Sequence, residues 1–252
     1  MTDSTFDPRA LAAKLHSLHR ARKQASTAEF PLPGDYRQAM DAQNFLSAEE
    51  GIRSNAWKVA MSPDNQPVLA PLHPYVEAAS GAKIPWQPGM KFEAEVAVRL
   101  GKDLPVRTDG KYSRADIVDA VAEAHLGAEL LWTCITESGK VSFLLYLADR
   151  IGNQGYVLGP VLPKSIIDTS TGTPLKVTLN GQPVYDAGAQ HPKGDVLIWL
   201  VDYANDTLRP QNSLHAGALI TTGTLCGAIE LTSGGEIDIL FGDAKLHLSL
   251  TQ

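Results

Sequence analysis

The residues best placed to do chemistry lie in the segment Phe92-Glu93-Ala94-Glu95-Val96-Ala97-Val98. Side chains of an extended strand alternate between its two faces. Phe92, Ala94, Val96 and Val98 therefore share an apolar face. Glu93 and Glu95 share the other, about 7 Å apart at their α-carbons. Two carboxylates held side by side on a rigid strand repel each other unless a proton or a cation stands between them. A third acid, Glu129, sits in Gly127-Ala128-Glu129-Leu130-Leu131-Trp132, an otherwise apolar run in which an unpaired charge is costly to bury. Three carboxylates with no neighbouring His or Cys cluster suit a hard ion, Mg2+ or Mn2+, with its remaining positions open to water or substrate. Two plainer readings of the same residues remain open: a solvated outer strand face for Glu93 and Glu95, and an ion pair with Lys or Arg for Glu129.

The elements that must position these residues follow from periodicity and turn chemistry. Residues 7–22 predict an amphipathic helix, capped by Asp7, with Pro8 in the first turn and Leu11, Leu15 and Leu18 as its stripe. Residues 35–48 predict a second helix, 57–61 a short strand and 62–89 a long Pro- and Gly-rich loop. A strand over 92–100 ends at Gly101. A helix over 113–124 opens with Ser113 and Asp116 spaced as a capping box, and a strand-like run follows over 128–135. Further strands are expected over 156–162 and 175–179, the latter before an Asn180-Gly181 hairpin turn, then a helix over 195–208 carrying Trp199, Leu200 and Tyr203. Strands over 218–222, 228–231, 236–241 and 245–250 complete the order. The expectation is one α+β domain over residues 1–252: a mixed, rolled or barrel-like sheet flanked by helices, with residues 1–55 as a helical part packing on it.

Bulk properties narrow the function classes. The 252 residues carry 28 acidic and 22 basic side chains, a net charge of −6, which gives no general attraction to nucleic acid or an anionic membrane. No apolar run approaches the ~20 residues of a membrane span. Asp3, Asp7 and Arg9 precede any apolar run, unlike a secretory signal. Cys134 and Cys226 stand far apart without a C-x-x-C pairing, so a reducing cytoplasm is expected.

Five segments in order resemble the fumarylacetoacetate hydrolase superfamily, closest to its 2-oxopent-4-enoate hydratase and 4-oxalocrotonate decarboxylase branch. They are Ala56-Trp57-Lys58-Val59-Ala60-Met61, Phe92-Glu93-Ala94-Glu95-Val96-Ala97, Gly127-Ala128-Glu129-Leu130, Tyr156-Val157-Leu158-Gly159 and Ile220-Thr221-Thr222-Gly223-Thr224-Leu225-Cys226-Gly227. The likeness spans most of the chain and implies the fold of that family's C-terminal domain. It implies Mg2+ or Mn2+ on Glu93, Glu95 and Glu129, the last two separated by 129 − 95 = 34 positions. It also implies a substrate-side role for Lys58, capture of the substrate carboxylate by Thr222-Gly223-Thr224, and a homo-oligomer. Read alone, the last segment is a turn between strands. The substrate implied is a small 2-oxo or 2-hydroxy-dienoic acid chelated through its carboxylate and 2-oxo oxygens. Such chelation stabilises the enolate formed when a proton leaves C3 or CO2 leaves a vinylogous position. Lys58 shares a strand face with the small Ala56 and Ala60. A partly desolvated ammonium beside a cation would have a lowered pKa suited to proton exchange.

The chain departs from the family pattern around the substrate. The Asp-Ser-Arg expected after the third acid is replaced by Leu130-Leu131-Trp132-Thr133-Cys134. The acid expected in the loop after the lysine strand is missing, and His73 and Tyr75 are what that loop offers, His73 being suited to proton transfer. Of an Asp-Asn-x-Ser segment only Asp149 is retained, followed by Arg150 as a candidate for an anionic substrate tail. The function expected is metal-dependent lyase chemistry, first hydration of a 2-oxo-alkenoate in aromatic catabolism. Decarboxylation of a vinylogous 2-oxo diacid, C–C hydrolysis of an acylpyruvate and a non-catalytic metabolite-binding role are the alternatives.

Overall fold

The computed structural model describes residues 6–53, 55–77, 82–137 and 141–251. Asp3 and residues 78–81 of the expected loop lie outside them. In chain order the elements are α1 (Pro8–Ala21), α2 (Tyr36–Glu49), β1 (Ala56–Met61), β2 (Pro67–Pro71), β3 (Tyr75–Glu77), β4 (Ala82–Pro85), β5 (Lys91–Leu100), α3 (Arg114–Ala120), β6 (Val121–Leu131), α4 (Phe143–Ala148), β7 (Asn153–Leu162), α5 (Ile166–Thr169), β8 (Pro174–Leu179), β9 (Gln182–Gly188), α6 (Ile198–Ala204), β10 (Leu219–Thr224), β11 (Ile229–Glu230), β12 (Gly235–Phe241) and β13 (Ala244–Thr251). They form a mixed α+β fold around a curled, half-barrel sheet of order β2-β1-β10-β5-β6-β7-β3, with β11 paired to β5, and a second sheet of order β4-β13-β12-β8-β9.

Strand alternation divides the two faces of the first sheet. β5 and β6 pair antiparallel with Phe92 opposite Leu130, Ala94 opposite Ala128, Val96 opposite Leu126 and Val98 opposite Ala124. Directly opposed residues point to the same side. These eight side chains are at most 1% exposed and join one core with Leu246, Leu248, Ile237, Ile239 and Phe241 of the second sheet. Gly159 lets the sheets meet: a Cβ there would lie 2.8 Å from the Leu126 carbonyl and 3.0 Å from the Leu246 side chain. The other face carries Glu93 opposite Glu129 and Glu95 opposite Gly127. Helices α2 and α4 cover that face toward β1 and β2, through Ala39, Leu147, Ala60, Val68 and Ala70.

Local signals hold where nothing outside the segment competes. Asp7 caps α1 through the Arg9 amide, and Leu11 and Leu15 are fully buried while Leu18 packs against the core. Ser113 and Asp116 form the capping box of α3. Asn180 and Gly181 take positive φ values of 53° and 76° in the β8–β9 turn, the geometry of a tight hairpin. Among the described residues no helix is long and apolar enough to cross a membrane.

Four expectations are corrected. The helix expected over 113–124 stops at Ala120, and the strand expected over 128–135 begins at Val121 and stops at Leu131, because 121–131 is pulled into the sheet between β5 and β7. The expected loop 62–89 holds β2, β3 and β4, all terminal strands of their sheets. Their short length and bounding prolines, Pro67, Pro71 and Pro85, are tolerated only at an edge and mask the strand signal. The helix expected over 195–208 shortens to Ile198–Ala204, while α4 forms from an apolar run too short to announce a period.

Phe92 anchors the face that both sheets share. Phe92→Ala is expected to cost about 3–5 kcal/mol in urea unfolding. A loss below about 1 kcal/mol would mean that this strand face is not part of the core.

Candidate metal centre and its surroundings

Glu93, Glu95 and Glu129 converge on the site face. Each offers a carboxylate oxygen within 4.8 Å of those of the other two. Register explains the convergence: Glu93 and Glu129 are directly opposed, and Glu95 is two residues along the same face of β5. Glu95 and Glu129 are buried and Glu93 half-buried. Gly127, opposite Glu95, keeps the floor open, since a Cβ there would fall 1.9 Å from the Tyr156 hydroxyl. Tyr156 itself pairs with Glu129 across β6 and β7.

The cluster is electrostatically strained. Burial, followed by the charge of Glu129, pushes the Glu93 carboxyl up to about 7. Burial and the charges of Glu129 and Glu93 raise Glu95 well above the usual carboxylate range, against a hydrogen bond from the Thr221 hydroxyl. Lys58 Nζ lies 2.7 Å from Glu129 Oε1, and Asn153 Nδ2 donates to the same oxygen at 2.9 Å. Glu129 Oε2 is buried with no hydrogen-bond partner among the described residues. An orphaned buried carboxylate oxygen beside two crowded carboxyls fits a hard divalent cation, whose all-oxygen coordination these groups can supply. One lysine does not offset three acids.

Lys58 departs from expectation in one respect. Burial pulls its ammonium down, but the charges of Glu129, Tyr146, Glu93 and Glu95 together outweigh it and hold the pKa above the ordinary value. With the carboxylates uncompensated it is a fixed cation rather than a poised proton carrier.

Other sequence candidates sit apart from the three acids. Asp149 is fully buried and accepts from Thr133 Oγ1 at 2.6 Å and the Cys134 amide at 3.2 Å, and its Oδ1 lies 2.5 Å from His19 Nε2. Its oxygens tie α1 to the segment after β6 and are spent there. Arg150 is buried against Glu50, so it is a structural ion pair rather than a free anion binder. Arg150, Ile151 and Gly152 take φ values of 54°, 53° and 69°, a left-handed run that turns the chain from α4 into β7 and delivers Asn153 to Glu129. His73 lines a cleft of about 480 Å³ with His16, His19, Arg20, Glu49, Glu50 and Arg150. Its amide donates to Asn153 Oδ1 at 2.7 Å, one side chain away from Glu129. Burial and then His19 lower its pKa. Tyr75 stacks on Tyr156 and its hydroxyl donates to Glu77.

The segment Thr222-Gly223-Thr224 is displaced by a bulge. Thr221 pairs with Ala97 but Thr224 with Glu95, three residues against two. Thr222 turns away and gives its hydroxyl to the Val196 carbonyl, Gly223 (φ 120°) packs under Trp199 and His191, and Thr224 donates to the Gly227 carbonyl at 3.1 Å. Thr221, one residue earlier and opposite Lys58, is the hydroxyl that meets the acids. Thr221, Asn153 and Tyr156 carry no role expected from the sequence. Strand alternation carries a signal for Thr221, while Asn153 and Tyr156 are legible only with the β6–β7 register.

The sequence model of the fumarylacetoacetate (FAA) hydrolase C-terminal family matches residues 40–246. No match was found among curated proteins. Among solved structures, the fold is similar to 4-oxalocrotonate decarboxylase from Pseudomonas putida G7 complexed with magnesium and adipate, at 19% identity over 96% of this chain and 97% of that one, TM-score 0.76. The same enzyme with calcium and acetate gives 18% identity over 96% of each chain, TM-score 0.77. Maleylpyruvate hydrolase from Sphingobium sp. SYK-6 in complex with manganese (II) ion and pyruvate gives 19% identity over 78% of this chain and 69% of that one, TM-score 0.51.

A raised carboxyl pKa favours the protonated form in the fold. Its stabilising contribution is full below the ordinary value of 4.5 and is lost as pH rises through about 7. The metal-free protein is therefore expected to melt lower at pH 8 than at pH 5.5. Glu93→Gln should flatten that slope, and Mg2+ or Mn2+ at pH 8 should restore the lost stability, by about 2.7 kcal/mol at 100 times Kd. Melting curves that ignore both pH and metal in this window would contradict the strain assigned to the cluster.

Proposed function

This chain belongs to the fumarylacetoacetate hydrolase family, and from that premise we propose that it is a lyase dependent on Mg2+ or Mn2+ that acts on a small 2-oxo acid, hydrating a 2-oxo-alkenoate or its 2-hydroxy-dienoate tautomer. The observation that carries the proposal is the convergence of Glu93, Glu95 and Glu129 within 4.8 Å, with Lys58 against one of them. Magnesium with adipate and manganese with pyruvate in the similar structures support a cation beside a small organic acid. The proposal extends to a cytoplasmic homo-oligomer in aromatic ring-cleavage catabolism.

In this reading Glu93, Glu95 and Glu129 hold the cation. When bound, it supplies a Lewis acid that draws electron density from the 2-oxo oxygen and so favours the enolate. The protein does the rest. Thr221 and Asn153 fix the carboxylates of Glu95 and Glu129 by hydrogen bonds, so neither reorganises when substrate enters. Once the acids are compensated, Lys58 loses the charges that hold its pKa up while keeping its burial, and its pKa falls toward the range useful for proton transfer. Lys58 then carries the C3 proton. Hydration places a hydroxyl on C4 and a proton on C3 of the conjugated 2-oxo-3-enoate. His73, held neutral by burial and His19, is the available base at the adjoining cleft.

Decarboxylation of a vinylogous 2-oxo diacid is the second reading. It uses the same groups to stabilise the same enolate, and the likeness to 4-oxalocrotonate decarboxylase over nearly all of both chains favours it over hydrolysis.

The test common to both readings is deuterium exchange at C3 of pyruvate. Exchange is expected to require Mn2+ or Mg2+. Lys58→Met should slow it by about 10²–10⁴-fold with Mn2+ affinity retained, and Glu129→Gln should abolish Mn2+ binding. Metal-independent exchange, or full activity in Lys58→Met, would remove the proposed mechanism. Inactivity of the Mn2+-loaded protein toward every 2-oxo acid tried would point to a metabolite-binding role.

A further inference from the structure

Helix α4 crosses the site face of the first sheet, packing on α2 and on Ala60, Val68 and Ala70 of β1 and β2. Tyr146 lies at its centre. The Tyr146 hydroxyl rests against the backbone of Gly152, where an added Cβ would lie 2.6 Å from Oη and 2.9 Å from the ring. Gly152 precedes Asn153, the residue whose amide holds Glu129. The phenol thus faces the charges of Lys58, Glu129 and Glu93. Among the described residues none hydrogen-bonds Tyr146 Oη, although the side chain is half-buried. The Tyr156 hydroxyl, fully buried in the sheet floor and pressed over Gly127, also lacks a hydrogen-bond partner among the described residues, but it belongs to the sheet and not to the covering helix. A half-buried hydroxyl with no protein acceptor, beside an ammonium and several acids, keeps its hydrogen available for a ligand that enters the site.

We propose that Tyr146 is a catalytic residue whose phenol O–H donates a hydrogen bond to an oxygen of the bound 2-oxo acid, entering the site from the covering helix. The role rests on the proposed function and adds a contact that neither the sequence motifs nor the metal ligands supply. Burial, the largest influence, pushes the phenol up to about 12, so it remains a donor at neutral pH. A donor aimed at an oxygen that gains charge in the enolate strengthens as the reaction proceeds. Gly152 is part of the same device, because any side chain there would expel the hydroxyl. Its φ of 69° is also one that glycine adopts without strain.

The test compares the full chain with Tyr146→Phe. Mn2+ affinity, read by calorimetry, is expected to agree within about twofold. Oxalate affinity of the Mn2+-loaded protein should fall by about tenfold, and pyruvate exchange by about 10²-fold, mainly in kcat. Gly152→Ala should reproduce these losses, and the double variant should add little to either. A structure of the wild-type chain with Mn2+ and oxalate, which does not depend on how Tyr146→Phe folds, serves as an independent measurement. Tyr146 Oη is expected within about 3 Å of an oxalate oxygen. Oxalate bound with Oη turned away, or Tyr146→Phe matching wild type in both oxalate affinity and exchange, overturns the assignment of Tyr146 alone. A wild-type chain that binds neither Mn2+ nor oxalate overturns the proposed function and this role with it.

Discussion

Mutual repulsion among three carboxylates brought onto one face of two paired strands is the constraint on which the site depends. Burial alone disfavours the charge of Glu93 and Glu95, and the Glu129 carboxylate lies against both. Lys58 compensates part of it, and hydrogen bonds from Thr221 and Asn153 compensate a little more. The remainder appears as raised carboxyl pKa values and an orphaned oxygen on Glu129. Such an arrangement is costly in a protein that needs only to be stable. It is economical in one that binds a divalent cation, since the same repulsion is relieved on binding.

The fold tolerates this strain because the opposite face of the same strands is a dense apolar core. Phe92, Val96, Leu126 and Leu130 bind β5 and β6 to the second sheet, so the strands cannot splay to separate their acids. Small residues then leave space on the site face: Gly127 admits the Tyr156 hydroxyl, and Gly152 admits that of Tyr146. The left-handed turn at Arg150, Ile151 and Gly152 is held by the buried Arg150–Glu50 pair and by Asp149 at the neighbouring joint. Asp149 and Arg150 thus hold the joint that precedes Asn153. Their charges are occupied elsewhere, which explains why two plausible chemical residues stand off the acids.

Alternation along a strand is a local property, so the acidic and apolar faces of β5 were legible without any fold. The same holds for the caps of α1 and α3 and for the Asn180-Gly181 turn, where the deciding contacts lie within a few residues. The longer helices and strands, the mixed α+β class and the resemblance of five spaced segments to one family were legible too, and with them the candidates Glu93, Glu95, Glu129 and Lys58, which the structure brings together. What remained hidden depended on partners distant in sequence. The edge strands of 62–89 are set by pairing with β1, β7 and β13. The end of α3 is set by the sheet that claims Val121 onward.

Side-chain direction after a bulge and the fate of a buried charge belong to the tertiary structure alone. The register of β10 on β5 puts Thr221 on the face of Glu95, and the extra residue that follows turns Thr222 away, which no spacing rule within the strand could announce. Lys58 keeps its proton because Glu129, 71 positions away, is 2.7 Å from it. The sequence by itself determined which residues carry charge and which strand face they occupy, since both follow from residue type and a period of two. Register, crossing elements and burial decided which of those charges meet, because electrostatic free energy depends on distance and solvent exposure rather than on order along the chain.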